Sequence, residues 1–377
     1  MKIKSVTAQT VYIPVPRPLA FSTRTVAERQ YTLVRVTLDS GEVGYGFTYA
    51  GNSGGPMITA CVEDVLIPHL KGADVRDREA LWDAMFRESL LVGRRGAAIR
   101  AISAVDIALW DAAGKATGQP LHKMLGAYRD AVPCYASGGY YFPGKGAKGI
   151  GDEVRAWKKQ GFVDVKIKVG RGDPDEDAKR VAAARKSLGP KGRLFLDANN
   201  AWNDVPSALR FLDRVEDYDI GWIEEPFLPD NIEGHAELAS RTNIPVATGE
   251  IEQTRWGFKA LMDAGAASIL QTDAGVCGGI TEFMRIAQMA AGNDLPIAPH
   301  WFSDLHVSLV CAIPNGMIVE HFLDTEVLNI MEIIDRPLKS KDGMVGPKDL
   351  PGHGIEFNEK KIAKFSKPSA ASANRGF

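Results

Sequence analysis

The apolar and polar positions of this chain change period twice. Residues 31–38 alternate and are rich in β-branched side chains; after Asp39-Ser40-Gly41 the pattern resumes over 42–47, which predicts a β-hairpin. The opening stretch, 1–16, also reads as a strand. From about 57 to 125 the spacing becomes helical, and 97–115 keeps apolar residues three and four apart. Strands followed by segregated helices predict a separate α+β domain. After about residue 130, short apolar runs alternate with helical stretches. The strand candidates are 132–135, 164–169, 194–196, 221–223, 245–247, 268–270, 295–298 and 317–319. Helix material lies between them at 175–188, 207–215, 255–263 and 281–291. This alternation predicts a (β/α)8 TIM-type barrel in an α/β chain. Between about 330 and 365 the alternation breaks into Gly and Pro clusters, and this stretch is expected to return to the first domain. Residues 369–377 are small and polar and read as a loose tail. The division is therefore 1–128, 129–328 and 329–377.

Composition adds boundaries rather than direction. With 377 residues the chain exceeds one typical domain, and 45% hydrophobic residues supply ample core for two. A net charge of −2 gives no reason to expect nucleic acid or an anionic membrane as a partner. No apolar run approaches the roughly 18 residues of a membrane span, and the N-terminal stretch lacks the apolar core of a secretion signal. Cys61, Cys134, Cys277 and Cys311 are scattered among apolar neighbours without metal-ligand spacing. They read as reduced thiols of a cytoplasmic protein.

The chemistry lies at the ends of the apolar runs. Lys166 and Lys168 are two apart, so both point to one face of their strand. On an exposed strand that is plain amphipathic alternation. A barrel strand is covered on both sides, and two ammonium groups there need anionic partners or a task. Each disfavours the other's charge, so a lysine pKa is expected to fall, as a lysine base requires. Asp197, Glu224 and Glu250 follow at near-equal spacing, about one strand-plus-helix unit of a barrel of roughly 250 residues. Any one of them reads as a helix cap or a surface carboxylate. Together, at equivalent strand ends, they would repel one another without a cation, and oxygen-only ligation suits Mg²⁺ rather than zinc. Glu225 is expected to point the opposite way from Glu224 and to support the site from behind. His300 ends the seventh run and Asp273 the sixth, so Asp273 can orient the imidazole. Glu320, after the eighth, is either a structural carboxylate or a proton donor if its pKa is raised.

These residues together resemble the enolase superfamily, in its mandelate racemase-like subgroup, whose sites pair a Lys or His base with Mg²⁺. The resemblance covers nearly the whole chain, including the 101–118 helix with Trp110-Asp111. It implies that 1–128 is a capping domain completed by 329–377, with lid loops near 17–25 and 48–55. It makes Lys168 the base on one face of the substrate carbon and Lys166 its tuner. Asp197, Glu224 and Glu250 become ligands of one Mg²⁺, and His300, oriented by Asp273, the acid/base on the other face. Glu320 matches the residue that hydrogen-bonds a carboxylate oxygen of the intermediate. Enolase itself and the muconate-lactonizing-like subgroup place a lysine near the sixth strand, where this chain has Gln271-Thr272-Asp273; glucarate dehydratases use Asn where it has Glu250. The expected activity is dehydration of an acid sugar, an aldarate or aldonate such as galactarate, talarate or lyxonate, to a 2-keto-3-deoxy acid. The competing reading is a racemase or epimerase of a 2-hydroxy acid; a third is a barrel that keeps the site as a binding relic. Polar side chains in the loops, with Ser22, Thr23, Arg24, Tyr49 and Asn52, favour a polyol acid; Arg24, Tyr49 and Asn199 are the expected substrate contacts. Partners are then a small-molecule carboxylate and, by resemblance, other copies of the chain in a homo-oligomer.

Overall fold

The computed structural model describes residues 1–323 and 325–367; the tail expected over 369–377 lies outside them. The chain starts with an antiparallel sheet of β1 (Ile3–Ala20), β2 (Thr25–Leu38) and β3 (Val43–Ala50), in that order. At the turn between β2 and β3, Gly41 takes a φ of 105°, a value that strains any residue with a Cβ. Helix α1 (Arg78–Gly93) packs on α2 (Ala97–Thr117), and α2 covers the sheet. A side chain at Gly44 or Gly46 of β3 would collide with the backbone of α2 at Ala108 and Ala104, so glycine on the strand and alanine on the helix set their close approach. α2 stops at Gly118, whose φ of 68° is a left-handed cap. Its other side packs on barrel helices Ala274–Cys277 and Gly279–Ala291, which is why nearly all of α2 is buried.

The second unit is a ring of parallel strands: β4 (Val132–Gly138), β5 (Asp164–Lys168), β6 (Leu194–Asp197), β7 (Ile220–Glu224), β8 (Val246–Thr248), β9 (Ile269–Leu270) and β10 (Val319–His321). Consecutive members pair, and β10 pairs back onto β4. The run expected as a seventh strand, 295–298, is reduced to single bridges from Ile297 to Leu270 and to Gly316. Pro296 and Pro299 flank Ile297 and have no N–H to give to a ladder, so only one residue pairs on each side. Those bridges still close the ring.

Register places the chemistry on one level. Lys168 pairs with Asp197, and Asp197 with Glu224, at the C-terminal ends of β5, β6 and β7. Below them Tyr135, Phe195, Trp222, Ala247 and Ile269 fill the barrel interior, with the Phe195 and Trp222 rings stacked 3.6 Å apart between centroids. Val165 and Ile167 pack outward against the helices, so Lys166 and Lys168 point into the barrel. The last segment touches both units. Met344–Val345 pairs with the start of β4, Glu359 bonds Arg35 and Tyr45, and the His353 N–H donates to Asp111. No helix among the described residues is long and apolar enough to cross a membrane. The cysteines are free, and Cys134, Cys277 and Cys311 are buried.

Candidate active site

The strand ends bring eight charged side chains into one buried cluster. Lys166 Nζ lies 2.6 Å from Glu224 Oε1, 2.8 Å from Glu320 Oε1 and 3.4 Å from Asp197 Oδ2. Lys168 Nζ lies 2.5 Å from the same Asp197 oxygen. The expected fall in lysine pKa is not what this arrangement produces. Burial does lower both, but Glu224 and Glu320 around Lys166, and Asp197 beside Lys168, outweigh it and raise both above the usual lysine value. Lys166 does push Lys168 down, though by less than Asp197 lifts it.

Asp197, Glu224 and Glu250 each offer an oxygen, and these lie within 4.8 Å of one another. Burial and then the charge of Asp197 push the Glu224 carboxyl far above the carboxylate range, while the two lysines hold Asp197 below it. Glu250 Oε2 is buried and has no hydrogen-bond partner in the protein. Hard oxygen donors, mutual repulsion and an orphaned carboxylate oxygen fit a divalent cation of the Mg²⁺ type.

Two further expectations need correction. Glu225 does not turn away: β7 ends at Glu224, so strand alternation no longer applies, and Glu225 takes a φ of 42° and lines the same cavity as Glu250 and His300. Its Oε1 is buried without a partner. Glu320 does not have the raised pKa of a proton donor. Burial alone would raise it, yet Lys166, His300 and Lys168 together bring it below the ordinary value. It is an anion that accepts the Trp301 N–H at 2.7 Å.

On the His300 side, Nδ1 lies 3.0 Å from Asp273 Oδ2 and Nε2 lies 3.6 Å from Glu250 Oε1. Burial lowers the imidazole pKa, but Glu250, Asp273 and Glu320 carry it up to about 9. Asp273 is itself held: its Oδ1 accepts the Gly275 N–H at 2.7 Å. His306, which the sequence did not single out, accepts the Ala274 N–H at 3.0 Å and sits behind Asp273.

The lid stretch near 17–25 is a hairpin tip, since β1 runs to Ala20 and β2 starts at Thr25. The tip reaches the barrel: Ser22 Oγ donates to Asn199 O at 3.0 Å and to Ala198 O, and Thr23 Oγ1 to Asn199 O at 3.1 Å. Under it is a cavity of about 370 Å³ lined by Lys168, His300, Glu225, Glu250, Arg24, Tyr49 and Asn199, a size suited to a small molecule. Asn199 holds a φ of 43° and leaves Oδ1 without a protein partner. Asn52 is not in this wall; it accepts the Ala27 and Glu28 N–H groups and braces β2. Trp301, Arg29, Arg100 and Tyr140 line the cavity as well, and nothing local in the sequence marks them, since each comes from a different element.

Residues 5–126 match the mandelate racemase/muconate lactonizing enzyme N-terminal domain, and residues 149–361 the enolase C-terminal domain-like family. The chain belongs to the mandelate racemase/muconate lactonizing enzyme family of the enolase superfamily. It is 33% identical to L-talarate/galactarate dehydratase of Salmonella typhimurium over 95% of this chain and 89% of that one. It is also 33% identical to 3,6-anhydro-alpha-L-galactonate cycloisomerase of Streptomyces coelicolor, over 94% of this chain and 96% of that protein. The crystal structure of a Streptomyces coelicolor racemase with bound magnesium superposes with a TM-score of 0.91 at 32% identity, covering 96% of this chain and 99% of that one. Members of this family among its relatives are thus acid-sugar dehydratases and cycloisomerases, and the triad of this chain is suited to the same metal.

Proposed function

We propose that this enzyme dehydrates an acid sugar to a 2-keto-3-deoxy acid, and that Lys168 and His300 are its two proton-transfer residues. The observation that carries the reading is that both line one cavity with the carboxylate triad beside them. Asp197, Glu224 and Glu250 would hold Mg²⁺. Bound there, the ion supplies Lewis acidity at the substrate carboxylate and takes up carboxylate charge that otherwise keeps the lysines protonated.

The α-proton of a carboxylate is only weakly acidic, so charge stabilisation has to supply most of the rate. Lys168 or His300 removes the C2 proton, and the other group, or the same one, gives a proton to the departing 3-hydroxyl. The C3–O bond breaks, water leaves, and the enol settles as the 2-keto acid. Lys166 and Glu320 form a buried pair beside Glu224 and Asp197; Asp273 holds the imidazole through Nδ1, so Nε2 is the nitrogen that transfers the proton. Asn199, Tyr49 and Arg24 are assigned to substrate hydroxyls and charge.

The second reading is an isomerase. A base on each face of the carbon returns the proton to the opposite side, and if the β-oxygen belongs to a ring its departure gives an isomer rather than free water. The similarity to a cycloisomerase supports keeping it. An acid-sugar library assayed with semicarbazide for keto acids tests dehydration, and α-deuterium exchange in D₂O without a keto product would identify racemisation. Absence of any Mg²⁺-dependent turnover or exchange would sink both. Lys168→Met and His300→Asn assayed separately for exchange identify the face that is deprotonated; full activity in both variants would overturn the assignment.

A further inference from the structure

We propose that the substrate is a dicarboxylate, with its second carboxylate at the end remote from the reacting carbon, and that Arg100 selects it. This rests on the acid-sugar reading above. Apart from Lys168, Glu225, Glu250 and His300, the charged side chains lining the cavity are Arg24, Arg29 and Arg100. These three cations line the cavity from different elements, and Arg24 is the exposed one. Some partly buried arginines of this chain pair with acids, as Arg193 with Asp164 at 2.6 Å and Arg255 with Glu282 at 2.8 Å, while Arg129 and Arg185 bond backbone carbonyls. Taking an arginine out of water without an anion is costly, which bears on the buried Arg29 and the half-buried Arg100 rather than on the exposed Arg24. A monoacid would present only neutral hydroxyls to them. A second carboxylate would give them an anion.

Arg29 is partly committed: it donates to Val327 O and lies 4.5 Å over the Trp301 ring. Arg24 sits exposed on the hairpin tip. Arg100 is the selective one because it is placed rigidly. It belongs to the first turn of the 21-residue α2, and one nitrogen is anchored to Tyr49 O at 2.9 Å. Its guanidinium keeps further donors in a fork that matches a carboxylate. Gly96 and Ala97 of the same turn line the cavity, so the positive end of α2 adds to the field there. Tyr49 touches both sides of the cavity: its ring lies 4.9 Å from Arg100 and its hydroxyl 3.4 Å from His300.

The test pairs aldarates with aldonates of matched configuration, using the Mg²⁺-loaded full chain. The expected result is a kcat/KM for the best aldarate about 100-fold above that of its aldonate. Arg100→Met is expected to lower the aldarate value about 100-fold, chiefly through KM, and to leave the aldonate within about threefold. Arg100→Gln, which can keep the bond to the Tyr49 carbonyl, should give the same split. Equal losses on both acids would make Arg100 a brace for Tyr49 and overturn the proposal, as would a preference for the aldonate or for a 6-phosphoaldonate. Calorimetric binding of galactarate and galactonate with Mg²⁺ separates this from the reaction itself. Arg100-dependent binding of galactarate without turnover of any acid would sink the dehydratase reading and keep the dicarboxylate; equal binding of the two acids, or binding of neither, would overturn the dicarboxylate.

Discussion

Tyr49 Oη lies 3.4 Å from His300 Nδ1, the same nitrogen that Asp273 Oδ2 faces at 3.0 Å. The carboxylate is the stronger acceptor, so it takes the Nδ1 proton and fixes the tautomer. The tyrosine hydroxyl, 3.4 Å away, is left to serve the cavity. Asp273→Asn is therefore expected to lower kcat by about 10²–10⁴-fold, the usual weight of a positioned acid–base group. Tyr49→Phe should cost less than about tenfold. Steady-state rates on one substrate compare the two, and a larger loss in Tyr49→Phe would reverse their roles.

Lys166 is buried between Glu224, Glu320 and Asp197. Lys166→Met leaves those carboxylates without their ammonium partner. Breaking a buried pair from one side costs about 3–5 kcal/mol, and Mg²⁺ should recover part of it. Urea unfolding with and without Mg²⁺ measures both quantities; an unchanged midpoint without the metal would contradict the ion-pair geometry.

Chelation should abolish turnover and lower Tm, because the triad oxygens lie within 4.8 Å of one another and repel when bare. At Mg²⁺ about 100-fold above its Kd the stabilisation is about 2.7 kcal/mol. Asp197→Asn should reduce the Mg²⁺-induced rise in Tm. A melting temperature indifferent to EDTA would place the cation elsewhere.

Burial pushes His306 and His321 down to about 4. Both are neutral in the native state, while the unfolded chain protonates them near pH 6.5. Their folded pKa is depressed, so stability is intact above that value and is lost as pH falls toward 4. The slope contributed by each is about 1.4 kcal/mol per pH unit inside that window. His321, stacked on Phe162 and 3.1 Å from Ser303 Oγ, is the simpler one to remove. Denaturation of His321→Gln between pH 7 and pH 4, pH values that bracket the window, should show a shallower pH slope than the parent chain.

The hairpin tip is held to the barrel by Ser22 and Thr23 on Asn199 O. Removing both hydroxyls should raise KM more than it lowers kcat, since these groups close the cavity and do not touch the triad. A fall in kcat with KM unchanged would assign the tip to chemistry.

The βα alternation was readable because strand and helix periods differ, and the triad because its acids recur at the ends of those strands. The seventh strand misled: Leu295 to Ala298 is apolar enough for a strand, but the prolines at 296 and 299 cut it to one pairing residue. Glu225 misled for a related reason. Parity on a strand is a local rule, and it fails one residue after the strand stops, where the backbone turns to positive φ. The lysine and Glu320 pKa directions are not legible in the sequence, because they depend on sums of charges arriving from several strands.

Residue types and spacing alone determined the barrel, the acids at its rim and the pairing of His300 with Asp273. Those features follow from side-chain alternation along a strand and from the length of one βα unit, which are both local. Tertiary structure alone decided that Lys166 meets Glu224 and Glu320, that Glu225 faces inward, and that Arg100 from one unit reaches the cavity of the other. The reason is physical: charge, burial and reach are set by whichever elements happen to converge, and a chain read in order carries no measure of the distance between them.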